Sequence, residues 1–76
     1  MDFKSWLIQS DYIKQNNPRG DLARDIRDDD NFPIAFEKYV IYKYLFSFLD
    51  PNTESYFDKM YDDFIRFISR KFDDEI

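Results

Sequence analysis

Four consecutive residues, Asp28 to Asn31, carry side-chain oxygens of the kind that bind calcium. An EF-hand loop needs ligands at alternating positions, a glycine at its sixth position and a glutamate at its twelfth. Counted from Asp28, those two positions hold Pro33 and Tyr39, so the run does not fit the calcium pattern. We expect a solvated acidic turn, or carboxylates that cap a neighbouring helix.

The residue types that usually carry nucleophilic and acid–base catalysis are scarce in this chain. It contains no Cys and no His, so its serines cannot join a histidine-based arrangement, and zinc lacks its two usual ligand types. Paired carboxylates are frequent, but acid–base chemistry needs tuned groups in a cleft, which so small a domain rarely encloses. We therefore predict a protein that is not an enzyme and uses no metal or cofactor.

Basic residues offer two places for contact with nucleic acid. Arg24 and Arg27 lie one helical turn apart. The second group, near the C-terminus, comprises Lys59, Arg66, Arg70 and Lys71. Acidic residues flank both groups and the net charge is −5, whereas DNA affinity comes mostly from phosphate neutralisation by Lys and Arg. Nucleic-acid binding is thus expected to be weak. An acidic protein that occupies a partner's basic nucleic-acid site is a third hypothesis.

The elements that position these residues are predicted to be helices. Caps and apolar periodicity place them near 3–13, 21–29, 34–49 and 53–71. Asp2 and Asp21 are the expected N-caps of the first two helices, and Asn52 or Thr53 is the expected N-cap of the last.

The third segment is ambiguous, because residues 39–49 are rich in the β-branched and aromatic types that favour strands. We predict a helix, since no other stretch offers a partner strand and apolar residues repeat every four positions from Phe36. The chain is therefore predicted to be all-α: one domain over 1–76, a compact bundle of about four helices, with a frayed tail at 72–76.

Aromatic residues are unusually abundant, with nine Phe, six Tyr and one Trp. They are either partly buried with their hydroxyl groups in water, or they form an exposed patch of the kind that marks interfaces. The core stripe predicted on the third helix is Val40, Ile41, Tyr44, Leu45 and Phe48. The core stripe predicted on the last helix is Phe57, Tyr61, Phe64 and Ile68. Tyr42 and Phe46 lie off the first stripe, and Phe67 lies off the second. These three residues are the predicted contact face.

The N-terminal residues lack the basic-then-apolar pattern of a signal peptide, and no apolar run approaches the ~20 residues of a membrane span. The absence of Cys fits a reducing compartment. We therefore expect a cytoplasmic protein that does not associate with membranes.

The run from Gly20 to Ile26, GDLARDI, followed by Phe32 and Pro33, resembles the signature of the YozE-type SAM-like family of small bacterial proteins. Apolar positions of three predicted helices are similar in order: Phe3, Trp6, Leu7, Ile41, Tyr44, Leu45, Phe57, Tyr61 and Phe64. The resemblance implies a bundle similar to the sterile alpha motif and carries no assigned functional residues. SAM-like folds bind proteins, self-associate or bind nucleic acid, and fold alone does not choose among these. The leading hypothesis is a protein-interaction or self-association module.

Overall fold

A computed structural model describes residues 1–46 and 50–74, with side chains through residue 70. Within these ranges the regular structure is entirely helical and contains no strand. In chain order the elements are α1 (Phe3–Gln9), a short 3-10 helix (Asp11–Lys14), α2 (Pro18–Asp28), α3 (Lys38–Leu45) and α4 (Pro51–Asp74). The predicted all-α bundle of about four helices is confirmed. No helix in the described part is long and apolar enough to cross a membrane.

The first predicted helix is divided at Ser10. Asp2 caps α1 as expected, because its carboxylate accepts a hydrogen bond from the Ser5 backbone N–H at 3.2 Å. The Ser10 hydroxyl donates to the Leu7 carbonyl at 2.7 Å and accepts from the Tyr12 N–H at 3.3 Å. Ser10 therefore ends α1 and starts the 3-10 helix, since its hydroxyl competes with the helical hydrogen bonds of the backbone.

The second helix begins three residues before the predicted start, at Pro18. Its N-cap is Asn17, whose side-chain oxygen accepts from the Gly20 N–H at 2.9 Å. Asp21 is thus not the cap and lies inside the first turn of the helix. The combination of Asn17 and Pro18 explains the earlier start, because Pro at the first helical position needs no N–H partner.

The third helix is shorter than predicted, since residues 34–37 are not helical and Glu37 has an extended backbone. Two backbone carbonyls of the segment before α3 accept hydrogen bonds from other elements. Ala35 accepts from the Phe3 N–H at 3.1 Å, and Phe36 accepts from the Tyr61 hydroxyl at 2.8 Å. These carbonyls tie the segment to α1 and α4, and α3 begins after them. Residues 47–49 of the predicted helix, including Phe48, lie outside the described residues.

The last helix begins at Pro51, and its cap is Asp50 rather than Asn52 or Thr53. The Asp50 carboxylate accepts from the Thr53 N–H at 2.7 Å, and this bond lowers its pKa. The helix continues to Asp74, through residues that were predicted to lie beyond its end.

Phe3 lies at the centre of the core with no exposed surface. The rings around it, at centroid distances of 5.6–6.5 Å, are those of Trp6, Phe32, Phe57, Tyr61 and Phe64. From α3 the core takes Ile41 and Leu45, whereas Tyr44 is half-buried. Val40, predicted as core, is exposed because the rest of the core lies on the other side of the helix.

Candidate contact surface on the third helix

One side of α3 presents aromatic residues to solvent. Tyr39 and Phe46 are 72% and 68% exposed. They are seven positions apart, which is close to two helical turns, so they lie on the same side of the helix. Tyr42 stands between them with its ring centroid 6.2 Å from that of Phe46. We name these three residues the α3 stripe.

The α3 stripe is exposed because the helix has the core on its opposite side. Ile41 and Leu45 anchor that side. Tyr42 is half-buried, and its hydroxyl donates to the Glu54 carboxylate at 3.2 Å. Partial burial and the negative charge of Glu54 raise the pKa of Tyr42. Tyr42 therefore forms the inner edge of the stripe, while Tyr39 and Phe46 supply its open surface.

Tyr39 was not included in the predicted contact face. The signal was present, since Tyr39 precedes Tyr42 by three positions and Phe46 by seven. The sequence did not show where the helix begins, so the side of the helix on which Tyr39 lies could not be assigned. The structure resolves this by starting α3 at Lys38, next to Tyr39.

The three predicted contact residues do not form one surface. Phe67 is 41% exposed and lines a hollow beside Trp6 and Tyr12. The partner of Tyr42 on α4 is Glu54, which precedes Phe67 by thirteen residues, or roughly 20 Å along the helix axis. Tyr42 and Phe46 thus belong together, whereas Phe67 belongs to a different part of the molecule.

Arg24 and Arg27, the first predicted nucleic-acid contacts, are engaged in local bonds. The guanidinium of Arg24 donates to the backbone carbonyl of Ile13 in the 3-10 helix at 3.0 Å and to that of Gln15, just after it, at 2.9 Å. It also pairs with Asp21 at 2.6 Å. Arg27 pairs with Asp28 at 2.9 Å. Arg24 therefore fixes the chain between the 3-10 helix and α2, and its guanidinium has a structural role.

Three of the other predicted nucleic-acid contacts share one side of α4. They are the exposed residues Lys59, Arg66 and Arg70. Asp62 and Asp63 flank this row at helical spacing, and Asp63 approaches the Arg66 guanidinium to 4.0 Å. The side chain of Lys71 lies outside the described residues. The row is therefore basic but interrupted by carboxylates, which weakens its expected affinity for phosphate groups.

The acidic turn after α2 connects that helix to α3. Asp29 accepts hydrogen bonds from the Tyr44 hydroxyl at 2.6 Å and from the Asn31 N–H at 2.9 Å. These bonds, the first above all, lower the pKa of Asp29. Across the described residues no three His, Cys, Asp or Glu side chains are grouped so that they could hold a metal ion.

A cleft of about 420 Å³ opens between α2, α3 and α4. Apolar side chains such as Ile26 and Leu45 line it, and Asp21, Asp25 and Asp29 stand one turn apart on its α2 side. Such a cleft could accept an apolar side chain with a basic neighbour. However, Asp21 and Asp29 are already bonded, and in the described part of the chain only Asp25 of the three lacks a partner. The α3 stripe therefore remains the stronger candidate.

No family model, curated protein or solved structure matches this chain. The resemblance to the YozE-type SAM-like family therefore stays a prediction, based on the GDLARDI run and on apolar spacing.

Proposed function

We propose that the protein is a small, non-catalytic interaction module whose α3 stripe contacts a protein partner or a second copy of the chain. The observation that carries the proposal is the exposure of Tyr39 and Phe46 on one side of a helix that is anchored on its other side. Exposed apolar patches on small proteins commonly mark interaction sites.

The anchoring of α3 supports this proposal. Ile41 and Leu45 are buried, and Lys38 pairs with Asp58 of α4 at 3.0 Å. A helix held in this way has little backbone freedom left to lose on binding, which favours association. Tyr and Phe also bring a large contact area with few rotatable bonds.

Nucleic-acid binding through Lys59, Arg66 and Arg70 is the second hypothesis, favoured by their position on one side of α4. The net charge of −5 and the adjacent aspartates argue against it. The lack of Cys is compatible with a reducing cytoplasm, which is the location that we propose.

Site-specific photo-crosslinking tests the proposal. A photoreactive phenylalanine analogue replaces Tyr39 in one variant and Ile8, which is exposed on α1, in a matched control. After irradiation in cells, we expect the Tyr39 variant to yield one discrete adduct, either a dimer or a complex with one protein. Mass spectrometry identifies it. The Ile8 variant should yield none.

A second substitution links the adduct to the α3 stripe. Phe46→Ser should reduce the yield from position 39, and Ile8→Ser should leave it unchanged. Equal yields from both positions, or no adduct from position 39, contradict the proposal. If the wild type instead binds duplex DNA tightly at physiological salt and Arg66→Glu abolishes binding, the second hypothesis takes its place.

A further inference from the structure

A hollow of about 490 Å³ lies between α1, the 3-10 helix and α4, on a different part of the molecule from the α3 stripe. Three aromatic side chains line it, Trp6, Tyr12 and Phe67. Two carboxylates, those of Asp11 and Asp63, lie at its border. Aromatic rings and carboxylates around one space are the combination that attracts organic cations.

The rings are arranged as walls. Trp6 and Tyr12 have their centroids 6.3 Å apart and their planes at 65°, so together they form a corner. Within the described residues Phe67 makes no ring contact with either of them, although it lines the same hollow. Phe67 therefore leaves space between itself and the corner.

Two of the walls are held in place before any ligand arrives. Trp6 is 8% exposed and packs on the core ring of Phe64 at 5.5 Å. The Tyr12 hydroxyl donates to the carboxylate of Asp63, another residue of the lining. Fixed walls reduce the conformational cost of binding. The more exposed Phe67 is the wall that can adjust to a ligand.

The charge at the border is suited to a cation. Asp11 is exposed beside Tyr12, and the second oxygen of Asp63 lies 4.0 Å from Arg66, which is itself largely in solvent. Because that ion pair is long and Arg66 is exposed to water, it neutralises the Asp63 carboxylate only in part. Both aspartates therefore favour positive charge next to the aromatic faces.

We propose that this hollow binds an alkylated ammonium group, such as the trimethylammonium of choline or of a trimethylated lysine side chain. A corner of two rings closed by a third surrounds a rounded cation better than a flat guanidinium, which prefers a bidentate partner. An unmethylated ammonium is strongly hydrated and loses more on leaving water. The proposal is independent of the α3 stripe, since it uses none of its residues.

Trp6 provides a direct readout, because it is the only tryptophan in the chain. The wild-type protein is titrated with choline and with 3,3-dimethylbutan-1-ol, an uncharged analogue of the same shape. We expect choline to change Trp6 fluorescence saturably and the alcohol to bind far more weakly. A peptide that carries trimethyllysine is the third arm, and tighter binding of the peptide than of choline assigns the cation to a protein partner.

Variants locate the site. Phe67→Ala removes an exposed wall and should weaken choline binding about 2- to 30-fold, the range expected for one cation–π contact. Asp11→Asn should weaken it by a smaller factor, while the matched control Phe46→Ala should not change it. Chemical-shift changes in two-dimensional NMR spectra provide a second measurement if the fluorescence is silent. Equal binding of choline and the alcohol, no saturable response by either method, or unchanged binding in Phe67→Ala overturns the proposal.

Discussion

The aromatic residues of this protein occupy two contrasting regions. Around Phe3, rings from α1, α4 and the segment after α2 pack against one another, and the central ring has no exposed surface. On the outer side of α3, Tyr39 and Phe46 are of the same residue classes but are mostly in solvent. Residue type is therefore the same in both regions, and what differs is the number of neighbouring elements.

The backbone of α1 lies close to the 3-10 helix, α2 and α4, and the backbone of α2 lies close to the 3-10 helix and α4. We call these four elements, with the core around Phe3, the packed region. In contrast, the described part of α3 has eight residues and packs on the core through Ile41 and Leu45. A short helix with one covered side leaves its other side in water. The comparison shows that aromatic excess in a small chain becomes either core or surface according to element length and placement.

The test of this contrast with the largest expected effect is a pair of Phe-to-Ala substitutions. Phe3→Ala should lower the free energy of unfolding by about 3–5 kcal/mol, because it removes a fully buried ring and leaves a cavity. Phe46→Ala should change it by less than about 0.5 kcal/mol, since the ring is largely exposed. Urea denaturation followed by circular dichroism measures both. Similar losses in the two variants would mean that Phe46 is part of the core.

The sequence was sufficient to predict the α4 side of the Phe3 region, whereas the central position of Phe3 and the burial of Phe32 were not predicted. Of the stripe predicted on α4, Phe57, Tyr61 and Phe64 are buried as expected, and Ile68 is partly buried against the core. Spacing fixes which residues share a side of a helix, and a long amphipathic helix has one apolar side to bury. The α3 region could not be predicted as well. Its start depends on carbonyl groups at 35 and 36 that bond to distant elements, and periodicity does not contain that information.

A second test probes how tightly the packed region is built, at the only glycine in the chain. A β-carbon on Gly20 would lie 1.9 Å from the Gln15 carbonyl oxygen, which also accepts a hydrogen bond from Arg24. Ala normally stabilises a helix interior by about 1 kcal/mol relative to Gly. Here we expect Gly20→Ala to destabilise the protein by roughly 1–3 kcal/mol, because the backbone must move apart.

The control for Gly20→Ala is Ser69→Ala, at an exposed position of α4. It should stabilise the protein slightly through helix propensity alone. Thermal denaturation of both variants shows directly whether each substitution raises or lowers the stability. A stabilised Gly20→Ala variant would show that the turn before α2 can move, and the packed region would then be less rigid than its contacts indicate.

The candidate sites were harder to predict than the fold. Tyr42 and Phe46 were placed together correctly, since they lie one turn apart on the same helix. Phe67 was grouped with them because it too lies off a core stripe, but on a helix of 24 residues that property does not specify which end of the molecule it occupies. Arg24 was considered for phosphate binding, whereas its guanidinium bonds to the carbonyls of Ile13 and Gln15. Long-range placement of this kind is not encoded in local spacing.

The smallest test compares two tyrosine hydroxyls, one in each region. Tyr12 donates to Asp63 in the packed region, and Tyr42 donates to Glu54 beside the α3 stripe at 3.2 Å. Tyr12→Phe should lower the free energy of unfolding by about 1 kcal/mol, the usual value for one hydrogen bond. Tyr42→Phe should lower it by less, because its longer bond lies nearer to solvent.

The Tyr12 bond also has a pH signature. Burial and the hydrogen bond to Asp63 raise the pKa of Tyr12 to about 12, above the 10.0 of an unperturbed tyrosine. Below pH 10 the side chain is protonated in both the folded and the unfolded chain, so its contribution is fully present. Between pH 10 and about pH 12 the unfolded chain releases the proton while the folded chain retains it, so this contribution is lost as pH rises. The difference in stability between the wild type and Tyr12→Phe should therefore shrink over that interval in urea titrations. A difference that stays constant with pH would show that the hydroxyl is not bound to Asp63 in solution. The 3-10 helix would then not be tied to α4 through Tyr12.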